Sequence, residues 1–110
     1  MKYVPNQGDI IVMNFDPQTG FEQQDRRPAL VVSNSTYNIH SKMAIVCPIT
    51  DIDKNHAFHI PLNNTTTTTG VVLCDQVRVI DVATRNAVFA EHVSDDILKE
   101  VIDLVCSSLE

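Results

Sequence analysis

Short apolar runs separated by polar breaks occupy most of the chain. Six runs are rich in Val, Ile and aromatic residues and are bounded by Pro, Gly, Asn, Asp or Thr, which is typical of β-strands. Within the fourth run, the alternation predicts that Phe58 and Ile60 face inward and that His59 faces outward. Strands this short, joined by frequent loops, indicate a small closed barrel. The predicted strands are residues 9–15, 29–33, 42–49, 57–62, 71–79 and 86–90.

The last segment of the chain is the one part with helical periodicity. Ser94 can cap its N-terminus, and Asp95 and Asp96 suit the positive end of the helix dipole. We expect the apolar stripe that follows to pack against the barrel, so the predicted fold class is mainly β with one C-terminal helix. The stripe consists of Ile97, Leu98, Val101, Ile102, Leu104, Val105 and Leu109.

The length of 110 residues predicts one domain with a single core and little room for a site enclosed within it. Function is therefore expected in loops or at a subunit boundary. The chain has no apolar stretch long enough to span a bilayer, and its first residues lack the apolar core of a secretory signal. We therefore expect a cytoplasmic protein with no membrane partner. Cys47, Cys74 and Cys106 are widely spaced and indicate neither a disulfide framework nor a zinc site.

The net charge of −6 argues against a nucleic-acid partner, because phosphate binding normally draws on an excess of Lys and Arg. The charge is unevenly distributed, however. Residues 91–110 contain six acidic residues against Lys99 alone, which leaves one net negative charge on residues 1–90. A short single strand is then a better expected ligand than a long duplex. The cations that could gather on one face are Arg26, Arg27, Lys42, Lys54, Arg78 and Arg85.

Charged residues directly precede an apolar run in the segment GFEQQDRRPALVVS, residues 20–33. Pro28 fixes its own φ and favours an extended conformation at Arg27, which places the guanidinium at the mouth of a strand. A guanidinium held in this way presents a planar fork of donors that fits a phosphate or a carboxylate. In the alternative interpretation, Glu22 or Asp25 pairs with an arginine on a loop, and such surface pairs contribute little.

Four segments of the chain resemble the MazF/PemK family of toxin endoribonucleases from type II toxin–antitoxin systems. They follow the family's order and approximate spacing from near the start of the chain to about residue 82, and a compatible C-terminal helix comes after them. The segments are GDI at 8–10 leading to NFDP at 14–17, GFEQ at 20–23 with RPA at 27–29, VCPIT at 46–50, and GVVLCDQVR at 70–78.

The resemblance implies a small SH3-like β-barrel of the MazF/PemK/CcdB type and a homodimer whose RNA groove crosses the subunit boundary. It implies metal-independent, sequence-selective cleavage of single-stranded RNA, without a cofactor, to a 2′,3′-cyclic phosphate and a free 5′-hydroxyl. The expected inhibitor is a cognate acidic antitoxin, whose disordered tail would fold over the groove. An anionic tail competing with phosphate for an arginine gives that inhibition a physical basis.

Three residues are the candidate catalytic groups under this resemblance. Arg27 is assigned to stabilising the charged phosphorane, because a guanidinium rarely gives up its proton. Thr50 is expected to donate a hydroxyl hydrogen bond to the same phosphate, the alternative being a turn or cap at a strand end. Glu22 is the candidate proton acceptor for the ribose 2′-hydroxyl, the alternative being a salt bridge that orients Arg27.

The chain departs from the PemK branch of the family at two positions. Phe21 and Leu73 stand where that branch has a histidine and an arginine, so a mechanism centred on Asp75 is not predicted. Phe21 is instead expected to stack on a base. The remaining phenylalanines are interpreted as core residues: Phe15, Phe58 and Phe89.

Further RNA contacts are expected from Gln23, Asp75, Gln76 and Arg78. Asp75 and Gln76 interrupt an apolar run, and in a strand they would face opposite sides. At most one of them would then enter the core, while the other reads a base edge or anchors the dimer. Arg78 would share the face of Gln76.

Two polar features carry more than one interpretation. The Thr-rich run at residues 63–70 is expected to be a mobile, solvated connection without chemistry. The four histidines form no His-Glu-x-x-His or similarly spaced ligand set, so no metal site is predicted. His56 and His59 could act as a histidine pair, as in other metal-free ribonucleases, or simply face solvent.

Two other functions remain open from the sequence. Toxins of the CcdB type share this fold and inhibit DNA gyrase by binding, without chemistry. A catalytically silent interaction module, with ordinary surface charges, is the third interpretation.

Overall fold

The computed structural model describes residues 3–15, 26–52 and 56–109. These residues form seven strands and two helices, and the predicted class, mainly β with a C-terminal helix, is confirmed. Most strand boundaries lie within a few residues of the predicted ones. The elements are β1 (Asp9–Asn14), β2 (Arg26–Val31), α1 (Ser35–Ser41), β3 (Met43–Thr50), β4 (His59–Pro61), β5 (Val71–Leu73), β6 (Arg78–Asp81), β7 (Val88–His92) and α2 (Asp95–Ser108).

The strands form one antiparallel sheet in the order β4-β5-β3-β2-β1-β7, with β6 also paired to β3. Within the described part of the chain the two end strands, β4 and β7, do not pair. The sheet is therefore barrel-like but open, and the expectation of full closure was wrong. One physical reason is that β4 has only three residues and ends at Pro61, which has no N–H to offer a further strand.

The fifth predicted strand is divided into β5 and β6. Both pair with β3, with Val72 opposite Ile49 and Arg78 opposite Val46. Val72 and Arg78 are six positions apart, whereas their partners are only three apart. The chain must therefore leave the sheet edge between the two strands.

That excursion comprises residues 74–77 and corrects the prediction for its polar residues. Cys74 N donates to Phe58 O (3.0 Å), and Gln76 N donates back to the end of β5 (3.2 Å). Asp75 and Gln76 are both exposed, so neither enters the core. The prediction of one strand with these residues on opposite faces failed because the two halves pair with β3 in different registers.

Two apolar clusters lie on the two faces of the sheet. Helix α2 covers the first, where its buried residues Ile97, Val101 and Val105 pack against β-strand residues such as Ile10 and Val72. Successive residues of β1, β2 and β3 contribute in turn to the first cluster and to the one on the opposite face. The cluster on the opposite face, called the second cluster below, consists of Ile11, Met13, Ala29, Val31, Ala44, Val46, Ile80, Val82 and Ala87.

The predicted helix and its packing are confirmed in α2. Ser94 caps it, with Oγ accepting from Ile97 N (3.4 Å). Leu109, at the end of the predicted stripe, follows the helix and is exposed. Phe89 was predicted to be core but is 53 % exposed on the edge strand β7, where its ring meets Tyr3 edge-on. Among the described residues, no helix combines the length and apolar character required to cross a bilayer.

Helix α1 was not predicted. Asn34 caps it by accepting from Tyr37 N (2.8 Å), and it ends at Lys42, whose φ is +62°. Its one buried residue is Asn38, which donates to Pro5 O (2.9 Å) and Ser33 O (3.2 Å). Because this helix docks through a polar side chain, it has no apolar stripe from which a sequence pattern could identify it.

The Thr-rich loop between β4 and β5 is anchored at the opposite end of the sheet. Glu91, on β7, accepts from Thr67 N (3.0 Å), from Thr68 N (2.7 Å) and from Thr68 Oγ1 (2.7 Å). Thr69 Oγ1 donates to Asp51 (2.9 Å). The prediction of a mobile connection was wrong, because this carboxylate satisfies the loop's own backbone donors and bridges the gap between β4 and β7.

Replacing Glu91 by glutamine should weaken the hydrogen bonds that hold the Thr-rich loop to β7. It should also remove the contribution of this carboxyl group to the pH dependence of the free energy of unfolding. Partial burial raises the pKa of Glu91, but the hydrogen bonds from Thr68 and Thr67 outweigh it, so the net pKa is lowered. A carboxyl group whose pKa is lowered by folding stabilises the folded state. The stabilisation is complete above the ordinary glutamate pKa of about 4.3, and it disappears as the pH falls through the lower pKa of the folded state. We expect Glu91→Gln to lose about 1–2 kcal/mol at neutral pH.

Urea unfolding at neutral pH and at several acidic pH values measures this effect. The difference in unfolding free energy between the variant and the natural chain should shrink as the pH drops below the ordinary glutamate pKa, about 4.3. Glu100→Gln is the matched control, since Glu100 is exposed on α2 and makes no hydrogen bond with any described residue. Equal losses at all pH values would show that the carboxylate charge is not what holds the loop.

Candidate functional site

All four arginines of the chain converge on the C-terminal end of β1. Two of them hold the backbone there. Arg26 donates from Nη1 to Asn14 Oδ1 (3.0 Å) and from Nη2 to Asn86 O (2.9 Å). Arg85 donates from Nη1 to Asn14 O (3.1 Å) and Phe15 O (2.9 Å). These contacts fix the position of Phe15 at the end of the strand.

The guanidiniums of the other two arginines lie over the ring of Phe15. The Cζ atom of Arg78 lies 5.2 Å from the ring centroid, and that of Arg27 lies 5.9 Å from it. Both distances are within the range of cation–π contacts. Arg27 and Arg78 are both exposed, and neither forms an ion pair with any described residue. The result is an aromatic ring in contact with two exposed positive charges, which we call the Phe15 patch: Phe15, Arg27 and Arg78.

Strand alternation explains why these three side chains meet. Phe15 follows Met13 on the face of β1 that carries the second cluster, and Arg27 precedes Ala29 on the same face of β2. Arg78 precedes Ile80 in the same way on β6. On this face of each strand, the side chains are apolar within the core and become aromatic or cationic beyond its edge. The patch is the solvent-facing continuation of the second cluster.

Thr50 is the last residue of β3 and lies on this same face. Pro48 pairs with Ala29, and continuing that antiparallel register by two residues aligns Thr50 with Arg27. Thr50 is half-buried, and its Oγ1 accepts from Ile52 N (3.3 Å). The strand-end turn predicted as the alternative role is therefore present. It uses an oxygen lone pair, so the hydroxyl hydrogen is still available for donation.

The predicted site residues divide into three groups. Arg27 and Arg78 are brought together, and Thr50 shares their face at the end of the neighbouring strand. Asp75 and Gln76 are exposed in the excursion that leads into Arg78. The residues that lie outside the described part of the chain stay predictions: Phe21, Glu22 and Gln23.

The expectation that six cations gather on one face is corrected in part. The four arginines do gather. However, Arg26 and Arg85 donate hydrogen bonds to backbone carbonyls, so they fix the position of the Phe15 patch and do not add free donors to it. Lys42 directly precedes β3, at the opposite end from Thr50. Lys54 lies outside the described residues.

Phe15 is the functional candidate that sequence reasoning missed, because it was interpreted as core. Its side chain is only partly buried and packs on the edge of the second cluster. The available signal was its period-2 spacing from Ile11 and Met13, combined with its position past the last buried residue of β1. The two guanidiniums come from other strands, so no local motif could show them.

His59 also differs from its prediction. It does not face solvent: its side chain is 10 % exposed, and Nε2 lies 3.8 Å from Asp75 Oδ1. The ring of His56 lies beside it, with the two centroids 4.8 Å apart. The excursion at residues 74–77 covers this face of β4, which explains the burial. A cluster of two imidazoles and one carboxylate therefore stands where the spacing of the histidines predicted no ligand set.

The two buried thiols do not supply a nucleophile. Cys47 and Cys74 are fully buried in the cluster beneath α2. A hydrogen bond with the Cys74 thiol, together with burial, raises the pKa of Cys47 far above its usual value. Both thiols are inaccessible to solvent, and this burial makes them packing groups.

Comparison with known proteins assigns the family. Residues 6–109 match the family described as PemK-like, MazF-like toxin of type II toxin-antitoxin system. Endoribonuclease PemK of Escherichia coli is 35% identical over 99 residues, covering 86% of this chain and 74% of that protein. Endoribonuclease toxin MazF of Escherichia coli K12 is 40% identical over 86 residues, covering 78% of this chain and 77% of that protein.

Solved structures agree with this assignment. A crystal structure of MazF from Deinococcus radiodurans superposes with a TM-score of 0.86 at 38% identity, covering 98% of each chain. A chain of a MazE-MazF crystal structure from the same organism gives a TM-score of 0.88 at 36% identity, covering 97% of each chain. With the sequence match and the shared fold in agreement, this chain belongs to the PemK-like, MazF-like family of type II toxin–antitoxin toxins.

Proposed function

We propose that this toxin is an endoribonuclease that cleaves single-stranded RNA in the cytoplasm, selectively by sequence and without a metal in the chemical step. The observation that carries the proposal is the Phe15 patch, in which two exposed guanidiniums lie over one aromatic ring on a chain of net charge −6. Exposed guanidiniums can bind the phosphates of a strand, and an aromatic ring beside them can contact one of its bases. The endoribonuclease relatives at 35–40% identity support the same reaction class.

The proposed reaction is attack of the ribose 2′-hydroxyl on the adjacent phosphorus. The 2′-oxygen forms the new P–O bond and loses its proton, while the bond from phosphorus to the 5′-oxygen breaks and the 5′-oxygen takes a proton from solvent water. The products are a 2′,3′-cyclic phosphate and a 5′-hydroxyl. Arg27 stabilises the charged phosphorane, the Thr50 hydroxyl donates to it, and Glu22 accepts the 2′-proton.

The other candidate residues bind the strand on either side of the cleaved bond. Arg78 lies over the same Phe15 ring as Arg27 and is assigned to a neighbouring phosphate. Asp75 and Gln76 are exposed directly before it and can reach base edges. Phe21 and Gln23 are assigned to base contacts by the family resemblance alone.

The expected assembly is a homodimer with an RNA groove at the subunit boundary, inhibited by a cognate acidic antitoxin. Structures named as MazE-MazF complexes are among the similar ones, which supports an antitoxin partner. Carboxylates of an antitoxin segment would compete with phosphate for the two exposed guanidiniums of the Phe15 patch.

Purified protein incubated in EDTA with a mixed-sequence RNA tests the activity. We expect defined fragments whose 5′ ends can be labelled by polynucleotide kinase without prior dephosphorylation, and whose 3′ ends are cyclic phosphates. Sequencing those 5′ ends would give the recognition sequence. Intact RNA together with inhibition of DNA gyrase would instead support a CcdB-like binder.

Thr50→Val should lower the cleavage rate by about 10²-fold or more, because a side chain of the same shape no longer donates to the phosphorane. Thr50→Ser keeps the hydroxyl and is the matched control, expected to retain activity within about tenfold. Single-turnover cleavage of a defined oligonucleotide measures both variants, alongside their thermal melts. Equal loss in the two variants, or loss of folding in Thr50→Val, would show that Thr50 has a structural role only.

A further inference from the structure

The cluster of His56, His59 and Asp75 lies outside the Phe15 patch, and its two histidines have no role in the proposed function, which uses only Asp75, as a base contact. His56 lies in the segment between β3 and β4, His59 begins β4, and Asp75 lies in the excursion after β5. Pairing of β4 with β5 places His59 opposite Leu73, two residues before Asp75. His59 N also donates to His56 O (3.0 Å), which turns the segment so that the two rings face each other.

The three side chains have the composition and proximity of a transition-metal ligand set. One ligand atom from each lies within 4.8 Å of the other two. Around Zn²⁺, ligands at about 2.0–2.1 Å in tetrahedral geometry lie roughly 3.4 Å apart. The 3.8 Å between His59 Nε2 and Asp75 Oδ1 is close to that value, so a small movement of His56 would complete the set.

His59 supplies an independent observation that points to a ligand. Its side chain is only 10 % exposed, yet neither ring nitrogen has a hydrogen-bond partner among the described residues. Nδ1 is fully buried, and the distance from Nε2 to Asp75 is too long for a hydrogen bond. Buried imidazole nitrogens are normally satisfied. Nε2, the nitrogen 3.8 Å from Asp75, is the one whose lone pair a metal ion would accept, and Nδ1 would then carry the ring proton.

His56 can join the set without disturbing the core. Its Nδ1 accepts a 3.2 Å hydrogen bond from Phe58 N, and the residue is exposed. Turning this ring gives up one long hydrogen bond and no buried packing. A second histidine–carboxylate pair, His92 with Asp9 at 3.0 Å, has no third ligand among the described residues and does not form a comparable set.

We propose that His56, His59 and Asp75 bind a divalent transition-metal ion, with Zn²⁺ the best match to two imidazoles and one carboxylate. Three protein ligands leave a fourth position for water, as in open zinc sites. The bound ion would tie β4 to the excursion at residues 74–77. It would also occupy the Asp75 carboxylate, and Zn²⁺ should therefore inhibit cleavage; this last consequence rests on the proposed function.

Competition for Zn²⁺ with a chromogenic chelator tests the site directly and does not depend on RNA cleavage. The protein should carry Cys106→Ser, because that exposed thiol could bind zinc by itself. We expect one equivalent to bind, and His56→Gln and Asp75→Asn each to weaken binding at least tenfold. His40→Gln, an exposed histidine on α1, is the matched control and should bind as the parent does. Co²⁺ in place of Zn²⁺ should give the visible absorption of a tetrahedral site without thiolate ligands.

The possible outcomes are distinct. Equal zinc affinity in all variants, or no competition with the chelator at micromolar zinc, would overturn the proposal. Because His56 and Asp75 are exposed, their substitution should not prevent folding, and circular dichroism would verify this. In cleavage assays, added Zn²⁺ should inhibit the parent but not His56→Gln. If zinc binds and neither protein cleaves RNA, the metal site stands and the proposed function fails.

Discussion

Replacing Arg27 by alanine is expected to lower RNA cleavage by about 10³-fold while leaving the melting temperature almost unchanged. The guanidinium is exposed, stacks beside Phe15 and forms no ion pair with a described residue, so the folded state loses little when it is removed. In the proposed mechanism, the transition state loses the guanidinium that stabilises the phosphorane. Single-turnover cleavage of a defined oligonucleotide measures the first effect, and a thermal melt measures the second.

Arg26 provides a matched control for this prediction one position earlier in the same strand. Its guanidinium donates to Asn14, Val12 and Asn86, so Arg26→Ala leaves carbonyl groups without a donor. We expect a loss of about 1–3 kcal/mol in stability, with cleavage by the folded protein reduced far less than in Arg27→Ala. The two substitutions remove the same charge and should therefore separate structure from catalysis.

Arg27→Lys refines the test, because lysine keeps the charge but not the planar fork. Intermediate activity would indicate that both charge and geometry contribute. If Arg27→Ala unfolds the protein, or if it cleaves RNA as well as Arg26→Ala does, Arg27 is not the phosphorane-stabilising group.

Much of the fold could be predicted because it depends on local alternation and capping. The side chains of β1 alternate between the two apolar clusters, and Ser94 marks the start of α2 as its N-cap residue. The predictions failed where contacts between distant segments of the chain determine the local structure. The division of residues 71–79 follows from two registers on β3, and α1 docks through the buried amide of Asn38.

The candidate site was predictable only in part, for the same reason. Arg27 stood out because Pro28 and the following apolar run fix its local position. Its relation to Phe15 and Arg78 depends on three strands that are adjacent only in the folded sheet. Likewise, Asp75 reaches His59 only because the excursion folds over β4, so histidine spacing alone could not indicate a ligand set.

The second large effect is expected at Gly70, whose backbone lies directly against that of Thr50. A Cβ at this position would stand 2.3 Å from Thr50 O and 2.8 Å from Thr50 C, and the φ of +118° is itself unfavourable for other residues. Backbone atoms cannot turn aside as a side chain can. We therefore expect Gly70→Ala to lose about 3 kcal/mol or more and to lower the melting temperature by roughly 10–20 °C.

Gly8 offers a matched comparison because it has a similar φ of +97° but a different neighbour. A Cβ there would meet the ring of His92 at 2.7 Å, a partly exposed side chain that can move. Gly8→Ala should therefore cost the conformational strain without the backbone clash, and should destabilise the protein less. Gly70→Ala should also cleave more slowly at temperatures where it remains folded, because the clash displaces Thr50 relative to Arg27. Equal melting temperatures for the two variants would mean that the contact between Gly70 and the Thr50 backbone adds nothing to the cost of a Cβ at this position.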